Sequence, residues 1–213
     1  MSEKATVFVV DDDSAVRESL RWLIESVGLK VKTFSTAREF LDAYDPNQPG
    51  CLVLDIRMPG MSGLELQDRL AEKSIHLPVI IITGYGDVPV AVRAMKNGAI
   101  DFIEKPFSDQ VLLERIQLAI EQDSAYRRIT ERRQDIENRL AVLTPREREV
   151  MYLVVEGKPS REIAKELGLS TRTVEVHRTH LMDKTKVRSV AELARMVTLL
   201  ALTEGRFKAP ITN

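Results

Sequence analysis

TVFVVDDD, residues 6–13, decides how the N-terminal half folds. Five residues of mostly β-branched or aromatic character run without a break and then meet three carboxylates. An apolar run of this length with a polar end fits a strand buried on both faces of a sheet. The pattern returns at Lys30–Phe34, Cys51–Leu54, Pro78–Ile82 and Asp101–Ile103. Helical spacing of apolar residues fills the gaps, over Ser14–Val27, Thr36–Tyr44, Gly63–Lys73 and Val88–Asn97. Breakers at Gly28, Pro49-Gly50, Pro59-Gly60, Gly84 and Gly98 part the segments. Strand–helix alternation of this kind specifies an α/β domain. The expectation is a doubly wound five-stranded parallel sheet of order 2-1-3-4-5.

In such a sheet ligands sit beyond the carboxyl ends of the strands, where the strand order reverses. Asp11, Asp12 and Asp13 follow the first strand and Asp55 ends the third, so Asp11, Asp12 and Asp55 are expected to share one crevice. Clustered carboxylates repel unless a cation joins them. Oxygen ligands with room for water favour Mg²⁺. Beside such a metal an aspartate can act as nucleophile toward phosphorus. Thr83, at the end of the fourth strand, offers a hydroxyl to a phosphoryl oxygen, and Lys105 supplies positive charge. Pro106 allows a cis Lys105–Pro106 peptide that aims the lysine inward. Taken singly these residues are ordinary: Asp13 reads as a helix N-cap, Thr83 as a strand end, Phe102 as core and Lys105 as a solvated charge. Their joint spacing carries the reading.

The second half is helical. After Pro106 no Pro or Gly appears before Pro145, so one long helix is expected from Ser108 to about Leu143. Tyr126, Ile129, Arg133, Ile136, Leu140 and Leu143 recur at spacings of three and four, a coiled-coil seam with Arg133 as its polar break. A single amphipathic helix packed on its own domain fits the same pattern. Thr144-Pro145-Arg146-Glu147 makes a capping box with proline at the first helical position. Ser160 and Ser170 are read as caps of two further helices, and Ser189 with Glu192 as a box opening a fourth. The expected divisions are residues 1–122, a helical linker 123–141, a four-helix domain 142–204 and a tail 205–213.

Composition is that of a soluble globular chain: 213 residues, 44% hydrophobic and 30% charged. No apolar run is long enough to cross a bilayer, and the N-terminal residues do not read as a signal peptide. With Cys51 the sole cysteine no intrachain disulfide forms, so a cytoplasmic location is expected. Residues 1–122 carry 13 Lys and Arg against 19 Asp and Glu, whereas residues 142–213 carry 13 against 9. An acidic front and a basic back point to different partners for the two halves.

The stretches VFVVDDD (7–13), LVLDIRMPGMSG (52–63), IIITGYGD (80–87) and DFIEKPF (101–107) resemble the receiver domains of two-component response regulators. LTPREREVMYLVVEGKPSREIAKELGLSTRTVEVHRTHLMDKTKVRSVAELAR (143–195) resembles the LuxR-type helix-turn-helix. Together they resemble the FixJ/NarL class, and TVEVHR with the receiver run favours its FixJ subgroup. The resemblance implies that Asp55 is the phosphoacceptor. Asp11, Asp12 and the Arg57 carbonyl would join it in holding Mg²⁺. Thr83 and Lys105 would read the phosphoryl group, and Phe102 is the aromatic switch, with Tyr85 nearby. A sensor histidine kinase, double-stranded DNA and RNA polymerase are the implied partners, and transcriptional activation the implied outcome.

On the helix-turn-helix, Ile163, Ala164 and Leu167 form an apolar stripe, Gly168 allows the turn, and Val174 and Leu181 anchor the second helix. Arg172, His177, Arg178, Lys184, Lys186 and Arg188 place positive charge on and after it for DNA phosphates. By analogy Glu175, Val176 and Thr179 face base edges. Glu175 either accepts from a cytosine amino group or pairs with Arg172 or Arg178. Two other readings exist. A haloacid-dehalogenase-like phosphatase also uses a strand-end aspartate, but it needs a second Asp where this chain has Arg57. The chain is therefore not expected to be an enzyme beyond slow loss of its own phosphoryl group. A protein-docking bundle would leave the basic residues as a solvated face. The expected switch is a change in the surface of the fourth helix and fifth strand. Receivers then pair through Val92, Met95 and Lys96, unless the linker coiled coil already holds a homodimer.

Overall fold

The computed structural model describes residues 5–84 and 87–203 and divides into two compact units between Arg127 and Arg128. Tyr85 and the tail 205–213 lie outside the described residues. In chain order the first unit holds β1 (Thr6–Val10), α1 (Ser14–Ser26), β2 (Lys30–Phe34), α2 (Ala37–Ala43), β3 (Gly50–Asp55), α3 (Gly63–Glu72), β4 (Val79–Thr83), α4 (Val88–Lys96) and β5 (Ala99–Glu104). The sheet is parallel with order β2-β1-β3-β4-β5, as expected. β1 aligns Val10 with Phe34 on one side and with Leu54 on the other. Both strands therefore end level at the rim where Asp11 and Asp55 follow.

Side-chain alternation divides the strands between two apolar layers. Phe8, Val10, Leu52, Leu54 and Ile81 point into one layer, closed by Phe40 of α2, Leu66 and Leu70 of α3 and Ala94 of α4. Val7, Val9, Cys51, Val53, Ile80 and Ile82 point into the other. That layer is closed by Leu20 and Ile24 of α1 and by Leu112 and Ile116 of α5 (Asp109–Ala141). Each fully buried side chain of this size contributes about 1.5–3 kcal/mol. β3, β4 and β5 each run one residue beyond the apolar runs, to Asp55, Thr83 and Glu104. The hydrogen-bonded ladder continues past the last apolar residue, and these polar ends build the site. Pro78, read as the start of the fourth strand, precedes β4. It has no N–H to give, but its carbonyl accepts from Leu52 N at 2.8 Å.

A buried ion pair fastens α5 to the start of β3. Asp123, 2% exposed, accepts from Gly50 N at 2.9 Å and from Arg127 Nε at 2.8 Å. Arg127 also donates to the carbonyls of Pro46, Asn47 and Gln48. A Cβ on Gly50 would lie 1.8 Å from the Thr6 carbonyl oxygen, so only glycine fits there.

The second unit holds α6 (Pro145–Val155), α7 (Ser160–Leu167), α8 (Thr171–Thr185) and α9 (Val190–Thr203). Val150, Met151, Val154, Ile163, Val174, Leu181 and Leu193 form its core. The seam read along α5 is shared between the units. Tyr126 stacks on His76 of the first, with ring centroids 4.3 Å apart. Ile136, Leu140 and Leu143 pack into the core of the second, and Arg133 pairs with Glu137 at 2.7 Å. Ile129, 62% exposed, is the seam residue most open to solvent. The cap assigned to Ser160 is a correction. Pro159 occupies the cap position without a side-chain bond, since its ring carries no acceptor, and Ser160 is the first helical residue, its hydroxyl accepting from Arg178 of α8 at 3.1 Å. At α9, Ser189 Oγ accepts from Glu192 N, but the Glu192 carboxylate reaches back to Arg188 N.

Candidate functional site

β1 and β3 end side by side, so Asp11 and Asp55 arrive at the same rim. Asp11 is 1% exposed and Asp55 5%. Lys105 Nζ lies between them, donating to Asp11 Oδ2 at 2.7 Å and to Asp55 Oδ1 at 3.0 Å. The Lys105–Pro106 peptide is cis. Lys105 N donates to the Thr83 carbonyl at 2.8 Å, which ties the loop after β5 to the end of β4. Thr83 itself is buried.

The pocket is oriented by backbone donors. Asp13 N donates to Asp11 Oδ1 at 2.9 Å, and Arg57 N to Asp55 Oδ2 at 2.7 Å. Asp13 caps α1, its carboxylate accepting from Ala15 N. Arg17, a residue the sequence did not single out, donates from its guanidinium to the Asp11 carbonyl at 2.7 Å. Gly63 was also missed. It starts α3 so close beneath β3 that a Cβ there would lie 2.2 Å from the Asp55 carbonyl oxygen. The glycine after MPGMS was the available signal, since close backbone approach demands that residue.

Electrostatics follow from these distances. Burial pushes the Asp55 carboxyl above its usual range, and Lys105 opposes that push. Burial acts to lower the Lys105 ammonium, but hydrogen bonds to Asp11 and Asp55 outweigh it and leave its pKa raised. The lysine therefore stays charged and joins two buried carboxylates. Asp12 does not converge with them. It faces solvent, and no group of three His, Cys, Asp or Glu side chains gathers around one point among the described residues. One ammonium balances two carboxylates only in part, and a third brought beside them would be repelled.

Phe102 lies half-buried on β5, opposite Ile81 of β4, packed against the layer that holds α4. On the outer side of α4, Val92 is 46% exposed and Met95 45%, with Lys96 beside them.

In the second unit Gly168 adopts φ +65°, which turns the chain from α7 into α8. Ser170 caps α8, and Val174 and Leu181 bury its inner side. Arg172, Glu175, Val176 and Thr179 share the exposed side, while His177 and Arg178 are half-buried. Arg178 donates to Ser160, and Glu175 forms no ion pair with Arg172 or Arg178. Lys186 follows α8 in the left-handed conformation and is exposed. Lys184 is not a free phosphate contact, because its ammonium lies 2.7 and 2.8 Å from the two carboxylate oxygens of Glu147.

Comparison with known proteins follows the same division. The family model described as the response regulator receiver domain matches residues 7–117. That described as bacterial regulatory proteins, luxR family, matches residues 141–197. Nodulation protein W of Bradyrhizobium diazoefficiens is 47% identical, across 95% of this chain and 89% of that protein. Transcriptional regulatory protein FixJ of Azorhizobium caulinodans is also 47% identical, across 99% of this chain and 100% of that one. The solved structure of the response regulator StyR superposes with a TM-score of 0.87 at 48% identity, covering 92% of this chain and 98% of its own. A receiver fold with this rim of buried aspartates, joined to a LuxR-type helical domain, places the chain in the family of two-component response regulators that regulate transcription.

Proposed function

We propose that Asp55 accepts a phosphoryl group from a sensor histidine kinase and that this acylphosphate switches the chain into a DNA-bound activator. The observation that carries the reading is the Lys105 ammonium held between Asp11 and Asp55 at the carboxyl rim of the sheet. A carboxylate oxygen of Asp55 forms the new bond to phosphorus. The bond from phosphorus to the kinase histidine nitrogen breaks, and that nitrogen keeps the electron pair and takes up a proton.

Asp11, Asp12, Asp55 and the Arg57 carbonyl would hold Mg²⁺. The fit rests on Asp11 and Asp55, whose oxygens already converge on one cation, with Asp12 adjacent in the chain. When bound, the ion offsets the charge of phosphoryl oxygens approaching these carboxylates. Lys105 then moves its charge from carboxylate to phosphoryl oxygen, and the Thr83 hydroxyl donates to another. Phe102 turns inward behind Thr83, and the outer side of α4 changes. Receivers pair through Val92, Met95 and Lys96. Paired helical domains then span two half-sites on DNA, with the linkage raising their effective concentration. Arg172, His177, Arg178 and Lys186 hold phosphates, while Glu175, Val176 and Thr179 face the bases and RNA polymerase is recruited at the promoter. Glu175, free of an ion pair on its own helix, is available to accept from a cytosine amino group. A coiled coil through α5 is not part of the proposal, because Ile136 and Leu143 of its seam are buried in the core of the helical domain.

Incubation with acetyl phosphate and Mg²⁺, followed by intact mass, tests the reading. One phosphoryl group should appear on the wild type and none on Asp55→Asn. No gain, or a gain that survives Asp55→Asn, refutes it. Sedimentation of Asp55→Asn should give a monomer, and a dimer refutes phosphorylation-driven pairing.

A further inference from the structure

Within the second unit, α5 and α9 line a cavity of about 370 Å³. Four residues of each helix border it at the same spacing, from Arg132 to Arg139 on α5 and from Glu192 to Leu199 on α9. Steps of three and four present one face of each helix. The turn before α9 adds Val187. Neither the phosphoacceptor nor the DNA-binding reading uses this cavity. Its volume lies at the small end of ligand sites.

The buried part of the lining is apolar, since Ile136, Val187 and Met196 belong to the core of the unit. The more exposed part is charged, with the guanidiniums of Arg132, Arg139 and Arg195 against the carboxylates of Asp135 and Glu192. Both carboxylates are committed. Asp135 pairs with Arg139 at 2.7 Å, and Glu192 accepts from Arg188 N at 2.9 Å. Arg132 and Arg195 are left without an ion pair or side-chain hydrogen bond among the described residues. Like charges bordering one cavity repel until an opposite charge joins them. Three positive groups against two negative leave a surplus of one, so a single negative charge neutralises the site. The planar guanidinium matches a carboxylate in geometry. The apolar lining beneath favours hydrocarbon attached to that carboxylate.

We propose that this cavity binds a small organic monocarboxylate with a compact apolar body. The carboxylate joins Arg132 to Arg195, and the body lies on Ile136, Val187 and Met196. An occupied site adds a link between α5 and α9 that the empty chain lacks. Binding does not depend on Asp55 chemistry or on DNA and is measured on the unphosphorylated chain.

Benzoate at neutral pH is the probe. Formate keeps its charge without the body, and benzamide keeps its shape without the charge. Each is titrated at fixed ionic strength into the full chain carrying ¹³C-methyl methionine. Benzoate should shift the Met196 methyl resonance at millimolar concentration. Formate and benzamide should each bind about tenfold more weakly. Arg132→Gln and Arg195→Gln, both at exposed positions, should each bring benzoate down to the level of benzamide. Arg128→Gln removes an exposed arginine of the same helix outside the cavity and should change nothing. The proposal is overturned if benzoate leaves the Met196 methyl unmoved across the millimolar range, or if formate or benzamide binds as tightly. A loss as large in Arg128→Gln as in Arg195→Gln overturns it too, because that marks unspecific attraction to positive charge. So does a fall of about one in the salt slope of DNA binding on Arg195→Gln, which assigns the guanidinium to a DNA phosphate.

Discussion

Glu147→Gln in the helical domain gives the sharpest test of the energetics. Glu147 is the third residue of the α6 capping box: its carboxylate accepts from Thr144 N, and its own N–H donates to Thr144 Oγ1. The same carboxylate binds Lys184 near the end of α8, so one side chain ties the first helix of the domain to the helix proposed to read DNA. The Lys184 ammonium, with hydrogen bonds from Thr144, holds the Glu147 carboxyl well below the usual 4.5, at about 2. At about 1.4 kcal/mol per tenfold change in proton affinity, that drop sets a ceiling of about 3 kcal/mol. Glu147 is hidden by side chains laid over it rather than by depth, and Lys184 is 37% exposed. Solvent screening brings the expected loss to about 1–2 kcal/mol.

Glutamine keeps the reciprocal cap, so the variant isolates the charge. A depressed carboxylate stabilises the fold above its unfolded pKa, and that contribution is lost as pH falls through the folded one. The gap between wild type and Glu147→Gln should therefore be full at pH near 7 and shrink from about 4.5 toward about 2. Urea titration read on the methyl resonances of Val150 and Leu181 reports this domain, whereas Trp22 fluorescence would report the receiver. Equal stability at neutral pH, or a gap that does not change on acidification, would refute the reasoning.

Further outcomes follow from the receiver rim and the α8 surface. Lys105→Met leaves Asp11 and Asp55 buried without their shared cation, and should cost about 1–3 kcal/mol at neutral pH. Added MgCl₂ should recover part of that loss in a thermal melt followed by Trp22 fluorescence; recovery in wild type and variant alike, or no loss at all, counts against the pairing. Gly63→Ala forces α3 away from the Asp55 carbonyl and should destabilise the receiver by about 1–3 kcal/mol, with slower labelling by acetyl phosphate. Unchanged stability and labelling would show that the close approach is not needed. Arg172→Ala should weaken DNA binding evenly across sequences and reduce the salt slope by about one. A change confined to one base position would instead make Arg172 a base reader.

The architecture was legible because buried parallel strands leave an unambiguous mark. VFVV, LVL and III are apolar on both faces, and the glycines and prolines between them end each element. The aspartates at the strand ends were legible for the same reason, since a parallel sheet delivers its strand termini to one rim. Asp12 was less so. Its place in the chain is next to Asp11, yet a strand end lets neighbours point in opposite directions, and the local charge balance leaves it in solvent. The seam of α5 was legible as an apolar face, but spacing of three and four does not name what covers it. Here Ile136 and Leu143 are covered by the chain's own helical domain. Ser160 and Lys184 fit a cap and a phosphate contact by sequence, but Arg178 and Glu147 reach them across the fold.

By itself the sequence determined the strands, the helices, the parallel winding and the arrival of Asp11 and Asp55 at the sheet rim, because those depend on local pattern and on the geometry of parallel sheets. Tertiary structure alone decided the distant partners of the charged side chains: Lys105 between Asp11 and Asp55, Lys184 on Glu147, and Arg127 on the carbonyls of Pro46, Asn47 and Gln48. The reason is physical. Burial is encoded in the periodicity of apolar residues along the chain. A charge instead takes its counterion from whichever distant segment the fold brings within about 3 Å.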